Sequence, residues 1–209
     1  MVRLGRTLAF AVVMLSAAHG EVLAKNERAL DPVFSVEERQ RLFDGKSVKR
    51  KFHLEVNEVS YRAGLAYRLV RSTPLDVVSA LRSPQALMRA IPYGVEATTL
   101  GERDGIARVR IRQGKPPVVG GYTVRMKWEL NQYRARFWLD PNDEHDLKDI
   151  WGSFTAREVR PGLTLICFAV AFDLGGVGEI LGSKVHRWSL STADRIAELV
   201  EEKTGIRYP

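Results

Sequence analysis

The pattern of apolar residues between positions 93 and 173 constrains the fold of this chain more than any other feature of its sequence. Over this stretch, apolar and polar side chains alternate with the two-residue period of a strand that is buried on one face. The clearest run alternates Tyr122, Val124, Met126, Trp128 and Leu130 with Thr123, Arg125, Lys127 and Glu129. Strands are predicted over 93–101, 107–111, 122–130, 134–139, 149–159 and 162–173, with turn residues between them. We expect an antiparallel meander.

Two short helices are predicted immediately before the meander. Thr73 and Ser83 each place a capping hydroxyl directly before a proline, so helices are expected over 74–82 and 84–91. Further upstream, the sequence Ser35-Val36-Glu37-Glu38 has the form of a capping box and predicts a helix over 36–43. Strands are predicted over 52–56 and 65–72, with a break at Arg62-Ala63-Gly64 between them.

After the meander, the apolar period changes to that of a helix. Apolar positions recur at steps of three and four through Val177, Ile180, Leu181, Val185, Trp188, Thr192, Ile196 and Leu199. Gly205 supplies a helix stop. A continuous helix over 177–203 would be about 40 Å long at about 1.5 Å per residue. The sequence therefore predicts one long C-terminal helix.

The first 24 residues have the features of a secretory signal peptide. Arg3 and Arg6 form a positive start, an apolar stretch over 8–18 follows, and Ala24 offers a small residue before Lys25. The apolar stretch is shorter than the about 20 residues that span a bilayer. We expect export to the periplasm or the medium as a soluble protein that begins near Lys25. The single cysteine, Cys167, excludes an internal disulfide framework and a lipid anchor at the cleavage point.

The order of these elements resembles that of a known superfamily. A strand, two consecutive short helices, an antiparallel meander and a long C-terminal helix are typical of the helix-grip superfamily. This superfamily includes START domains, polyketide cyclases and dehydratases, coenzyme-Q-binding proteins and pollen-allergen-like carriers. Within it, the chain most resembles the exported bacterial START-like or polyketide-cyclase-like proteins. The resemblance also uses Trp151-Gly152-Ser153-Phe154, Pro161-Gly162-Leu163-Thr164-Leu165 and Asp173-Leu174-Gly175-Gly176. These are turn and packing features, so they point to a fold and not to a chemistry.

The resemblance implies an α+β helix-grip fold. A curved antiparallel sheet of about six to seven strands would wrap around the long C-terminal helix, and two short helices would follow the first core strand. Residues 62–205 would form this domain, after the signal peptide 1–24 and an N-terminal extension over 25–61 that holds a short helix and a strand. An apolar cavity would lie between sheet and helix, because side chains fill the space inside a curved sheet only in part.

Twelve apolar residues are candidates for the lining of this cavity. The strands would contribute Tyr122, Met126, Trp128, Phe137, Leu139, Phe154, Phe168 and Phe172, and the helix would contribute Val177, Leu181, Val185 and Trp188. The alternative is that these side chains pack against one another as an ordinary core. The sequence does not decide which face of the strands 149–159 and 162–173 lines the cavity, since both faces carry large apolar residues.

The sequence contains no nucleophile elbow, zinc-protease, phosphate-loop or dinucleotide fingerprint, and no metal or cofactor is predicted. His145 lies in an acidic segment that lacks the glycine and glutamate of a calcium loop, so a solvated hairpin loop is expected. Cys167 lies between Ile166 and Phe168 and is expected to be buried and inert. His186 is a candidate acid or base at the cavity edge, although a satisfied or exposed helical histidine is the simpler expectation.

The formal net charge is +7, and the basic residues form two groups. One is the run Lys46, Lys49, Arg50 and Lys51; the other follows the polar face of the strands through Arg108, Arg110, Arg112, Arg125, Lys127, Arg134 and Arg136. The second group would cover the outer surface of the sheet, either as an ordinary solvated face or as a surface for transient contact with anionic membrane lipids. Export and the inward alternation of the aromatic residues argue against nucleic-acid binding.

These features together predict a non-enzymatic binder or carrier of a hydrophobic small molecule such as a lipid, isoprenoid or polyketide. One alternative is a polyketide cyclase or dehydratase-like enzyme that uses the same cavity, with Tyr122, His186 or an acid at the cavity mouth as a proton shuttle. The other is a structural or interaction protein with a filled core. The enzyme is less favoured because no acid–base pair can be placed from the sequence.

Overall fold

The computed structural model describes residue 30 and residues 33–175 and 177–208, and at positions 118, 177–181 and 183 it describes the backbone alone. The predicted signal peptide over 1–24 lies outside the described residues. Among the described residues, no helix is long and apolar enough to cross a bilayer.

The chain forms eight strands and five α-helices within the described residues. The strands are β1 (Val48–Val56), β2 (Val59–Val70), β3 (Gly94–Arg103), β4 (Ile106–Lys115), β5 (Val118–Glu129), β6 (Arg134–Leu139), β7 (Asp149–Arg160) and β8 (Leu163–Asp173). The helices are α1 (Val36–Phe43), α2 (Pro74–Ala80), α3 (Pro84–Ala90), α4 (Val177–Ser189) and α5 (Thr192–Thr204), and a short 3-10 turn spans Leu130–Gln132.

All eight strands belong to one antiparallel sheet with the order β1-β2-β8-β7-β6-β5-β4-β3. This is the predicted α+β architecture, with a sheet of eight strands where about six to seven were expected. The additional strand is β1, which comes from the predicted N-terminal extension and pairs with the edge of β2 that faces away from β8. Strands β1 and β3 form the two edges.

The turn between the first two strands lies earlier than the sequence predicted. β2 is continuous over Val59–Val70, so the break expected at 62–64 is wrong. The chain reverses instead at Asn57 and Glu58, whose φ angles of 50° and 68° are those of a tight hairpin turn. Gly64 is a strand glycine because a Cβ there would lie 2.7 Å from Leu190 Cδ2 and 2.9 Å from the Arg50 carbonyl oxygen.

The predicted helix starts are confirmed. Ser35 and Glu38 form a reciprocal capping box at the start of α1. The Thr73 and Ser83 hydroxyls accept hydrogen bonds from the backbone N–H groups of Asp76 and Ala86, which cap α2 and α3. Each cap supplies one of the unpaired backbone groups at a helix start with a partner.

The C-terminal helical segment is divided where one continuous helix was predicted. α4 ends at Ser189 and α5 begins at Thr192. Between them, the Ser191 N–H and the Ser191 hydroxyl both donate to the Trp188 carbonyl oxygen, at 2.8 Å and 2.7 Å. Serine side chains compete for helical carbonyl groups in this way. Leu190, which is fully buried, lies against Gly64 at the interruption.

Two main hydrophobic cores lie on opposite faces of the sheet, and a small third cluster around Tyr61, Ala63 and Ala171 lies on the same face as the smaller of them. The larger core joins one face, called here the inner face, to α2, α3 and α5. The smaller core lies on the outer face, where Phe34, Leu42 and Tyr208 pack against apolar side chains of β1, β2, β7 and β8. The helix of the N-terminal extension therefore covers part of the outer face.

Candidate ligand-binding surface

The strand register places all eight candidate strand residues on the inner face. Residues directly opposite one another in an antiparallel pair point to the same side of the sheet. Met126 lies opposite Phe137, Ala135 lies opposite Phe154, and Phe154 lies opposite Phe168. Phe172 lies opposite Ile150 on the same face. The register therefore also settles the inward face of β7 and β8, which the sequence left open.

Burial divides these eight residues into two groups. Tyr122, Met126, Leu139, Phe154 and Phe172 are buried. Trp128, Phe137 and Phe168 also pack against the inner core but keep part of their surface exposed, as do Ile150 and Leu174 beside them. The helices α2, α3 and α5 thus fill only part of the space above the inner face. The partly exposed group of Trp128, Phe137 and Phe168 is called here the aromatic surface.

Gly152 permits two rings of the aromatic surface to meet. Phe137 on β6 and Phe168 on β8 stack with ring centroids 6.1 Å apart and planes inclined by 14°. Gly152 lies on β7 between them, opposite Phe137. A Cβ at this glycine would lie 2.4 Å from Phe137 Cζ and 2.3 Å from the Ala169 carbonyl oxygen. The space of the absent side chain is occupied by the Phe137 ring.

The four candidates on the C-terminal helix have different outcomes. The side chains of Val177 and Leu181 lie outside the described part of the structure. Val185 is half-buried. Trp188 is also half-buried and packs edge-on against Tyr93, which directly precedes β3, with ring centroids 4.6 Å apart. The lining role of all twelve residues stays a prediction.

His186 is a satisfied core histidine, as the simpler expectation had it. It is 5% exposed, and its Nε2 lies 2.8 Å from the Ala63 carbonyl oxygen, which requires a proton on Nε2. Its ring packs edge-on against Phe172. Burial lowers the pKa of His186, and the positive charges of Lys51 and Arg62 act in the same direction. The neutral ring is therefore the favoured form at neutral pH.

The two residues considered as proton shuttles are far apart. The Tyr122 hydroxyl on β5 donates to Gln113 Oε1 at 2.8 Å, and burial raises the pKa of this tyrosine. His186 contacts β2 and β8, so β6 and β7 lie between the two groups. The structure does not combine them into an acid–base pair.

Cys167 lies on the outer face, opposite Tyr67 on β2 and Thr155 on β7. It is half-buried and packs against the smaller core. Burial raises the pKa of its thiol to about 11. Since the thiolate is the reactive form, the expected inert character of this cysteine agrees with its surroundings.

The acidic segment around His145 is a loop between β6 and β7 in which Glu144, His145 and Asp146 are exposed, as expected, but carboxylates of the loop also pair with the basic face of the sheet. Asp140 is fully buried and accepts hydrogen bonds from Arg108 Nε at 2.5 Å and Arg125 Nη2 at 2.9 Å. Asp143 accepts from Arg110 Nη2 at 2.9 Å. Asp146 accepts from the Gly121 N–H at 2.7 Å. Within the described part of the chain, no cluster of His, Cys, Asp or Glu side chains has the arrangement of a metal site.

These contacts also set the protonation of the carboxyl groups. Burial raises the pKa of Asp140, but hydrogen bonds from Arg108, the Asn142 N–H and Arg125 outweigh burial and hold the pKa below its ordinary value. The Thr123 hydroxyl and Arg110 lower the pKa of Asp143. Both groups are thus ionised at neutral pH.

The basic outer face is therefore largely paired with acids. Besides the arginines held by Asp140 and Asp143, Arg134 and Arg136 both bond Glu129, and Arg112 lies 3.8 Å from Glu96. These carboxylates reduce the positive field that a membrane would meet at this face. Contact with an anionic membrane surface stays a prediction.

Two pockets are described away from the aromatic surface. One, of about 300 Å³, lies between α3 and α5 and is lined in part by Arg89, Tyr93 and Glu202. The other, of about 500 Å³, lies on the outer face beside α1 and is lined in part by Arg71, Arg160 and Tyr208. Sequence reasoning missed both, because their walls come from segments far apart in the chain and follow no local motif.

Comparison with known proteins supports the fold. No family model and no curated protein matches the sequence. An aromatase/cyclase from Streptomyces sp. R1128 superimposes with a TM-score of 0.59 at 15% identity, covering 69% of this chain and 96% of that chain. A START superfamily protein from Mycobacterium smegmatis gives 0.56 at 13% identity, covering 68% and 98%. A STAR-related lipid transfer protein from Xanthomonas axonopodis gives 0.55 at 11% identity, covering 72% and 93%.

These likenesses show a START-like helix-grip fold, as the order of elements predicted. They extend over almost the whole of each solved structure and about 70% of this chain. Because a shared fold hosts different functions, the role of this protein has to be argued from its own side chains.

Proposed function

We propose that this protein binds a hydrophobic small molecule at the aromatic surface, between the inner face of the sheet and the C-terminal helices, and carries it without chemical change. The observation that carries the proposal is the partial exposure of the aromatic surface, and of Ile150 and Leu174 beside it, on a face whose other side chains are buried in the inner core. Aromatic side chains that face a space filled only in part by helices suit an apolar guest.

Desolvation would supply the binding free energy. Each ligand methylene that leaves water for this surface contributes about 0.8 kcal/mol. The stacked rings of Phe137 and Phe168 are held in place before the ligand arrives, so little side-chain freedom is lost on binding. A lipid, an isoprenoid or a polyketide would each present enough apolar surface.

A carrier agrees with the site better than an enzyme does. Catalysis by proton transfer requires a titratable group within hydrogen-bond reach of the reacting atom. Tyr122 and His186 are separated by two strands and are each engaged elsewhere, by Gln113 and by the Ala63 carbonyl group. The structural neighbours include a protein described as a lipid transfer protein and another described as an aromatase/cyclase, so the fold is compatible with either role.

The ligand can be sought directly. Native mass spectrometry of the purified protein, followed by organic extraction, should detect a bound apolar molecule. The fluorescent fatty acid cis-parinaric acid should also bind to the delipidated protein with a saturable signal. If no molecule co-purifies and the probe shows no saturable binding, the carrier is replaced by the structural protein with a filled core.

We also propose that the protein acts after export, in the periplasm or outside the cell. The support is the charge and apolar pattern of residues 1–24. N-terminal sequencing of the protein from its native envelope fraction should give a start near Lys25. A start at Met1 in the cytoplasmic fraction would contradict export and would leave the ligand-binding proposal unaffected.

A further inference from the structure

The pocket of about 500 Å³ on the outer face is built from four separate parts of the chain. α1 contributes Val36, Arg39, Gln40 and Phe43; Arg71 follows β2, Arg160 ends β7, and Tyr208 belongs to the C-terminal tail. The pocket lies on the side of the sheet opposite the aromatic surface. It is therefore independent of the proposed carrier function.

Three of the seven lining residues are arginines, and none is acidic. Arg71 and Arg160 are exposed, and neither forms an ion pair with another described residue. The nearby carboxylate of Asp44 accepts a hydrogen bond from Gln40 Nε2 at 2.7 Å and lies 3.9 Å from Lys46 Nζ. The pocket thus concentrates positive charge.

Aromatic rings hold two of the arginines without neutralising them. The Arg71 guanidinium carbon lies 5.8 Å from the centre of the Tyr208 ring. The Arg160 guanidinium carbon lies 5.9 Å from the centre of the Phe43 ring. Cation–π contacts fix the position of a guanidinium and leave its N–H donors available.

Tyr208 closes the pocket on the side of the C-terminal tail. Its side chain is buried, and its backbone N–H donates to Glu201 Oε1 at 3.1 Å, which holds the tail against α5. Burial raises the pKa of Tyr208 and the charge of Asp44 acts in the same direction, while Arg160, Arg71 and Arg68 act to lower it.

We propose that this pocket binds a phosphate monoester. Guanidinium groups match phosphate oxygens with two parallel hydrogen bonds, and a dianion balances the charges of Arg71 and Arg160. The rings of Phe43 and Tyr208 would contact the organic part of the ester. The ester is either a soluble metabolite or the headgroup of a lipid such as phosphatidic acid.

Inorganic phosphate is the first probe, measured by titration calorimetry, and vesicles of phosphatidic acid in phosphatidylcholine are the second, measured by co-sedimentation. The double variant Arg71→Gln/Arg160→Gln should weaken binding about a hundredfold, since each charged hydrogen-bonding group contributes about tenfold. Arg103→Gln removes a charge from an exposed side chain on β3 and should bind as the wild type does.

A second pair of variants leaves every arginine in place. Val36 lines the pocket and is 66% exposed, so its replacement does not disturb the core. Val36→Glu should weaken binding at least about tenfold by repelling the anion, and Val36→Gln should not. Thermal unfolding of each variant verifies that the fold is intact.

The outcomes separate the two sources of the ester. Binding of inorganic phosphate that Val36→Glu weakens at least about tenfold supports the site and a soluble ligand. Binding of phosphatidic acid vesicles alone, with the same sensitivity, supports the site and a lipid headgroup. Binding of neither probe, or binding that the arginine and Val36→Glu variants leave unchanged, overturns the proposal.

Discussion

Phe137 and Phe168 stack across an intervening strand, although they are not neighbours in the sheet. Their rings meet 6.1 Å apart because β7 has no side chain at Gly152, where the Phe137 ring lies. Three adjacent strands thus contribute to one aromatic contact on the inner face. The contact between the two rings therefore depends on a residue that contributes no side chain to the aromatic surface.

Gly152→Ala should therefore destabilise the protein strongly for so small a change. The new Cβ would lie 2.3 Å from the Ala169 carbonyl oxygen, and that backbone atom cannot rotate away. We expect the free energy of unfolding to fall by about 1–3 kcal/mol or more, as it does when a core is overpacked. Urea unfolding measures it. The control is Gly120→Ala on β5, whose Cβ would have its nearest contact at 3.6 Å and should cost less than about 0.5 kcal/mol.

Trp128→Gln tests the aromatic surface as a ligand site. Removing part of the apolar contact should weaken binding of cis-parinaric acid about tenfold, in line with the loss of one partly buried aromatic side chain. Phe52→Gln is the matched control, because Phe52 is a strand aromatic, 39% exposed, on the outer face. Equal probe affinity in the two variants would place the ligand elsewhere.

His186→Gln should change the dependence of stability on pH. Burial lowers the pKa of His186 in the folded protein, whereas the unfolded chain has the ordinary value of about 6.5. The unfolded state therefore binds the proton more readily, and the stability of the wild type falls as pH decreases below about 6.5. Glutamine keeps a donor for the Ala63 carbonyl oxygen but does not titrate. As the pH is lowered from about 8 to about 5, the free energy of unfolding of the variant should therefore rise relative to that of the wild type, by at most about 1.4 kcal/mol per pH unit. Parallel stability curves from urea unfolding at each pH would contradict this assignment.

Asp140→Asn should weaken the attachment of the acidic loop to the sheet. The buried carboxylate accepts hydrogen bonds from Arg108 and Arg125. We expect the free energy of unfolding to fall by about 3 kcal/mol, which is the lower end of the usual range for breaking a buried ion pair. The lower end applies because both arginines are partly exposed. The folded pKa of Asp140 is depressed, so this contribution is complete above about pH 4 and is lost as pH falls through the folded pKa.

The control for this carboxylate is Asp104→Asn. Asp104 pairs with Arg103 in an exposed turn, so its replacement should change the free energy of unfolding by less than about 0.5 kcal/mol. Urea unfolding at neutral pH compares the two variants. A loss for Asp140→Asn no larger than that of the control would show that the loop is held by other contacts.

Local chemistry in the sequence predicted the local structure well. The capping residues Ser35, Thr73 and Ser83 act at the helix starts where their neighbours predicted them. The alternation from Tyr122 to Trp128 predicted both β5 and its inward face. In each case, the determining interaction lies within a few residues along the chain or follows from the pleat of a single strand.

The errors arose where distant partners decide the conformation. Gly64 indicated a break, but its missing side chain accommodates Leu190, more than a hundred residues later in the chain. The apolar period continued through Ser191, whose hydrogen bonds to Trp188 interrupt the helix. The pairing of Asp140 with the basic face was missed, because its partner Arg108 lies on another strand. No pattern in one segment reports such pairings.

The strands at the two edges of the sheet have backbone groups that could pair with another chain. On β1, Lys49 pairs with Asp194 and Arg50 pairs with Glu38, whereas Lys51 is exposed along the open edge. A second copy that paired its β1 with this β1 around Lys51 would bring two cations together and would have to strip their water. The charge of Lys51 thus opposes edge-to-edge dimerisation through β1, and Lys51→Ala would remove this barrier.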